Sequence, residues 1–228
     1  QVSSKQEYSR NSAKSSSLPD LRKYPSGTPR KKAFLRTVMP YITSQNAAIT
    51  AERNWLISKQ YQGQWSPAER ARLKDIAKRY KVKWSGNTRK IPWNTLLERV
   101  DIIPTSMVAT MAAAESGWGT SKLARNNNNL FGMKCMKGRC TNAPGKVKGY
   151  SQFSSVKESV SAYVTNLNTH PAYSSFRKSR AQLRKADQEV TATAMIHKLK
   201  GYSTKGKSYN NYLFAMYQDN QRLIAAHM

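Results

Sequence analysis

Apolar positions along this chain recur mostly at helical spacing, in stretches separated by clear breaks. From Lys31 onward, Phe34, Leu35, Val38, Met39, Ile42, Ile49, Leu56 and Ile57 keep roughly one helical face. Pro40 lies inside that stretch and predicts a kink or a restart. "SPAE" at Ser66–Glu69 carries the marks of a helix start: Ser as cap, Pro at the first helical position and Glu at the third. Leu73, Ile76, Ala77 and Tyr80 follow on one face. A short helix with Trp93, Leu96, Leu97 and Val100 inward comes next. From Pro104 to about Gly117 the pattern is apolar almost all round, which predicts a buried central helix.

"TSKLAR" adds one or two turns, which "NNNN" ends. Between Met133 and Phe153 the helical period disappears, and Gly, Pro144, Val147 and Tyr150 suggest a hairpin or an irregular lobe. "SVKE" at Ser155–Glu158 reads as another capping box, followed by Val156, Val160, Tyr163, Val164 and Leu167 at helical spacing. His170-Pro171 stops that helix. Two more patterns finish the chain. One spans Val190 to Leu199, and the other runs from about Ser208 through Leu213, Met216 and Leu223, with Tyr212 and Tyr217 assigned to the core. No internal repeat is visible. The expectation is a mostly α fold with a small β-lobe or hairpin. Residues 31–100 form an N-terminal helical extension, and 1–30, rich in Ser, Lys and Arg, a disordered or loosely draped tail.

Charge changes the picture most. Lys+Arg number 39 and Asp+Glu 12 in 228 residues, a net charge of +27. A field of that sign attracts nucleic acid, an anionic membrane surface or an acidic polymer such as a cell wall. No apolar run approaches a membrane span. The opening "QVSSKQEYSR" has no leader, which fits a cytosolic chain or a secreted one without its leader. Cys135 and Cys140 are either a short-loop disulfide from an oxidising compartment or two free thiols. The three histidines lie far from them, and His197 has no companion at metal spacing, so no metal site and no cofactor is read.

The candidate chemistry sits at Glu115, in "AAAESGWGTSKLARNNNNLFGMK". It ends the central helix, and no carboxylate follows until Glu158. Burial and the negative end of the helix dipole both favour its protonated form, the form a general acid needs to protonate a leaving oxygen. Gly117 and Gly119 keep the chain thin beside it, and Trp118 offers an apolar plate to a sugar face.

"ESGWGTSKLA" followed by "NNNNLFGMK" resembles the signature of the endo-β-N-acetylglucosaminidases of glycoside hydrolase family 73. "YSQFSSVKESVSAYVTNL" and "YSTKGKSYNNYL" resemble that family's later motifs, in order. The resemblance covers about residues 100–225 and implies a lysozyme-like helical domain, here 101–228, with a cleft beside the small lobe. It implies hydrolysis of the β-1,4 bond after N-acetylglucosamine in peptidoglycan. Glu115 falls on the general acid and Tyr202 faces the catalytic site. Trp118, Asn129, Phe131, Tyr150 and Tyr209 fall on substrate-binding positions. The implied partner is the glycan strand, with no nucleic acid and no membrane span. The implied protein is a monomer of the periplasm or cell envelope.

One departure stands out. Many family members are thought to carry a second acid in the small lobe, whereas this lobe holds only Lys134, Lys137, Arg139, Lys146 and Lys148. Glu158 is explained by its capping position, and Asp101, Asp187 and Asp219 have no motif behind them. The remaining route is assistance by the substrate's own acetamido group. The competing readings are a muramidase or lytic transglycosylase, and a non-catalytic wall-binding module. Residues 1–100 are open to a cleft-covering or autoinhibitory role.

Overall fold

A computed structural model describes residues 18–135, 140, 143–199 and 206–228. The protein is mostly α, in keeping with a lysozyme-like helical domain. Among the described residues the helices are α1 (Thr28–Lys59), α2 (Pro67–Arg79), α3 (Trp93–Arg99), α4 (Thr105–Ser116), α5 (Lys122–Asn127), α6 (Val156–Thr169), α7 (Ser174–Lys185), α8 (Ala192–Met195) and α9 (Lys207–Ala225). Among the described residues no helix is long and apolar enough to cross a membrane. The expected tail falls partly outside the described residues. Its described part includes a 3-10 turn at Leu21–Lys23 in which Leu21 is fully buried.

The chain forms two compact units: 1–44, 105–163 and 215–228 in the first, and 45–104 with 164–214 in the second. In the first, α4 is buried from Met107 to Ala113 and again at Ser116. Its run of Ala and other small residues allows close packing on every side. Tyr163 of α6 stacks flat on Phe131, with centroids 4.2 Å apart and planes 7° apart, and its hydroxyl reaches Met111 Sδ at 3.8 Å. Val156 and Val160 are buried on the same part of α6.

Of the kink or restart expected at Pro40, the restart does not occur: α1 runs through it. The proline is exposed, so the carbonyl it leaves without an N–H partner faces solvent, where water can satisfy it. Ile57 is also not on the inward face, being 48% exposed near the end of α1. The capping box before α2 forms as the sequence predicts, with Glu69 N–H donating to Ser66 Oγ (3.1 Å) and Ser66 N–H to Glu69 Oε1 (3.0 Å).

The second unit contains α7, which the apolar pattern did not predict. Its inward positions are Phe176, Arg177 and Arg180, so charged residues stand where an apolar stripe would have marked a helix. Arg180 is fully buried and donates to the carbonyls of Glu98, Asp101 and Ile102 and to Asn168 Oδ1, at 2.8–3.2 Å. Asp101, itself buried, takes a two-pronged hydrogen bond from Arg184 at 2.9 and 2.7 Å and lies 3.5 Å from Arg53. Burial would raise the Asp101 carboxyl, but the Arg184 hydrogen bonds and the charges of Arg180 and Arg53 overcome it, leaving the group below its ordinary value. Desolvation lowers the Arg180 guanidinium to about 10, still protonated at neutral pH.

Tyr212, expected in the core, is 57% exposed. The buried positions of α9 are Asn210, Leu213, Asn220 and Ile224, a stripe whose asparagines hid it from a reading by apolar residues.

Candidate active site

The last turn of α4 delivers Glu115, and the chain then leaves the helix through three consecutive left-handed residues. Gly117, Trp118 and Gly119 have φ of 56°, 55° and 80°. Trp118 N–H closes the helix end on Ala113 O (3.0 Å), the bond of a Schellman cap. Buried Ser116 donates to Ala112 O and accepts from Gly119 N–H, fixing the exit. Gly119 has no alternative, because a Cβ there would collide with Leu21 and press on Phe34. A non-glycine residue at φ +55° costs energy, and here packing offsets it. The Trp118 ring meets Phe34 edge-on at 5.6 Å, and the Lys31 ammonium lies 5.0 Å from its centroid. Lys31 is itself held by Asn220 Oδ1 at 2.8 Å.

Glu115 is half-buried, and the carboxylate lies against the backbone of Gly132. A Cβ built on Gly132 would stand 3.0 Å from Glu115 Oε2, and its φ of +67° also demands glycine. "NNNNLFG" is therefore the wall facing the acid. Asn129 builds that wall from inside. It is 1% exposed; its amide donates to Met133 O (2.9 Å) and Ser151 O (3.0 Å), and its oxygen accepts from Phe131 N–H (3.3 Å) and Met133 N–H (3.1 Å). Phe131 is 2% exposed in its stack on Tyr163. Neither side chain is presented to solvent; both hold the loop that Glu115 touches.

Of the hairpin or irregular lobe expected between Met133 and Phe153, the described residues form the irregular one. Among the described residues it has one antiparallel bridge, Lys134 with Tyr150, and no strand. Asparagines stand in for a ladder. Asn127 donates to Val147 O and Ser151 O and accepts from Val147 N–H (2.8 Å). Asn128, left-handed at φ 51°, donates to Phe153 O (3.1 Å), and Asn126 O accepts from Lys146 Nζ (2.7 Å). The four-residue run was visible in the sequence as a helix stop; four amides in a row was the signal for this second role. Cys135 and Cys140 form a disulfide, with Cα atoms 5.2 Å apart.

Glu158 caps α6: its Oε2 accepts from Ser154 N–H at 2.9 Å and from the Ser154 hydroxyl, and its own N–H donates to Ser155 Oγ at 3.1 Å. Tyr150 is half-buried at the bridge. Tyr209 is half-buried in the first turn of α9, and Tyr202 lies outside the described residues.

A family model described as "Glucosaminidase: Mannosyl-glycoprotein endo-beta-N-acetylglucosaminidase" matches residues 92–222, a span that holds Glu115, the Gly-Trp-Gly exit and the asparagine-built wall. The chain belongs to the glucosaminidase family. It is accordingly a glycosidase by family, and α4, α5 and α6 lie inside the matched span, while α1 and α2 precede it. No solved structure matches the chain.

Proposed function

We propose that the protein is a peptidoglycan hydrolase that cuts the β-1,4 bond after N-acetylglucosamine, with Glu115 as general acid. The observation that carries this reading is the carboxylate of Glu115, half-buried at the end of a buried helix and lying against the backbone of Gly132. Glu115 protonates the leaving glycosidic oxygen. With no carboxylate between Ser116 and Lys157 and Glu158 engaged in a helix cap, the substrate supplies the second group. Its 2-acetamido oxygen attacks the anomeric carbon as the glycosidic bond breaks, giving a cyclic oxazolinium. Water, deprotonated by the Glu115 carboxylate, then opens that ring, and the configuration is retained.

In this scheme Trp118 and Tyr150 contact sugar. Asn129 and Phe131, being buried, act as positioning residues for the wall. Tyr209 and Tyr202 complete the substrate site, and the Tyr202 hydroxyl steadies the acetamido group or the water. The family assignment and the net charge of +27 support an anionic wall polymer as substrate, outside the cytoplasm.

The test is mass spectrometry of fragments released from purified peptidoglycan by the protein and by Glu115→Gln. Reducing-end N-acetylglucosamine from the former and nothing from the folded variant is the expected result. Anhydro-muramic ends would assign a lytic transglycosylase instead. Tyr202→Phe and Glu158→Gln are measured alongside; a folded Glu158→Gln as inactive as Glu115→Gln would remove the single-acid mechanism.

A further inference from the structure

A groove of about 560 Å³ lies on the second unit, between α2 and the turn at 84–87, outside the family-matched span. That volume is within the range of ligand sites, roughly 300–1,000 Å³. Arg70 and Lys74 line it, one helical turn apart on the same face of α2. Two like charges at that spacing repel one another unless an anion lies between them. Each of the neighbouring acids is engaged elsewhere: Glu69 with Lys59 and Asp75 with Arg79.

Trp84 forms the opposite side, and its orientation is fixed. Its indole N–H donates to Asn87 O (2.9 Å), in a turn pinned by Asn87 N–H to Ser85 Oγ and Arg89 N–H to Asn87 Oδ1. One Arg70 N–H donates to Gly86 O (3.2 Å), tethering the guanidinium to that turn. Lys74 has no protein partner among the described residues, and the Trp84 ring packs on no other aromatic ring there. A rigid half-buried indole beside two cations, with Ser85 and Asn87 as polar lining, fits an amphipathic ring that carries an acid.

We propose that this groove is a second, non-catalytic subsite for a carboxylate-bearing saccharide of the wall polymer, the sugar's apolar face on Trp84 and its carboxylate on Arg70 and Lys74. The proposal rests on the peptidoglycan reading above and adds an anchor that holds the strand away from the reacting bond. A single indole and two cations are too few to follow a nucleic-acid backbone, which needs an extended basic track and successive stacking rings.

The experiment is an NMR titration of the 228-residue Glu115→Gln protein with ¹⁵N-labelled indoles, the Trp84 signal being the one lost in Trp84→Phe. The probes are a soluble muropeptide, neutral chitotetraose and a short thymidine oligonucleotide. The expected result is a saturable shift of the Trp84 signal with the muropeptide, weakened about fivefold when Arg70→Gln and Lys74→Gln are combined. No shift with the muropeptide, an equal response to chitotetraose, an affinity unchanged in the double variant, or tighter binding of the oligonucleotide would each overturn it. Hydrolysis of cell wall by the Glu115 protein is scored separately. Titration without hydrolysis would sink the enzymatic reading and leave the subsite, and hydrolysis without titration would do the reverse.

Discussion

Replacing Asp101 by asparagine keeps the shape of the side chain and removes the one negative charge among three arginines. Arg180, fully buried, is then left without its counter-charge; its Nε is 3.9 Å from Asp101 Oδ2, so this part of the attraction is coulombic rather than a hydrogen bond. Breaking a buried pair by removing one partner costs about 3–5 kcal/mol. Asparagine can still accept one of the two Arg184 hydrogen bonds, which puts the expected loss near the lower end, about 3 kcal/mol. For a chain of this length that is a fall in Tm of about 6–12 °C. Urea unfolding and thermal melts followed by circular dichroism measure both quantities.

The pH dependence gives a second readout with a definite sign. The folded Asp101 carboxyl lies below its unfolded value, so its stabilisation is fully present above about pH 4 and drains away as pH falls through the folded value. Asp101→Asn must therefore lose stability at neutral pH and show a shallower acid slope than the parent. A variant within about 1 kcal/mol of the parent from pH 5 to 8, or one with the same acid slope, would refute the account of this cluster.

Gly132→Ala places a methyl against Glu115 Oε2 at a φ of +67°, so it should cost about 1 kcal/mol or more in urea unfolding and lower kcat on cell wall beyond that stability loss. Glu158→Gln keeps an acceptor for the Ser154 N–H, so melts should shift by less than about 1 kcal/mol and wall turnover should stay near the parent rate. Sedimentation with insoluble cell wall should show binding that weakens steadily as salt is raised, because a net charge of +27 acting at a distance is screened over about 8–10 Å at ordinary ionic strength. Binding indifferent to salt would mean that the charge plays no part in capture.

Much of the fold was legible because burial here follows apolar spacing. Leu73, Ile76 and Ala77 in α2, and Val160, Tyr163 and Leu167 in α6, are buried where the pattern put them. The capping box before α2 could be read for the same local reason. What the pattern missed is where polar residues do the inward work. α7 buries Arg177 and Arg180, which look like a solvated face until Asp101 and the carbonyls above it are known. Asn210 and Asn220 hid the buried stripe of α9 in the same way. At the candidate site, the position of Glu115 at the helix end and the need for glycine beside it could be seen in "ESGWG". The inward direction of Asn129 and Phe131 could not, because a side chain that builds a wall and one that lines it leave the same letters in the sequence. At Pro40 the sequence left a kink or a restart open, and the helix does not restart, since the cost of the proline depends on whether the freed carbonyl can reach water.

The asparagine clamp of the small lobe separates two properties that usually vary together. Apart from the Lys146 ammonium on Asn126 O, its bonds run between backbone groups or from the amides of Asn127, Asn128 and Asn129 to backbone, and none of those amides gains or loses a proton. Attraction to an anionic substrate, by contrast, depends on lysines and arginines spread over the chain. An engineer could therefore recharge the exterior, sparing Lys146, or operate the protein in brine, and retune capture while the architecture around Glu115 stayed put.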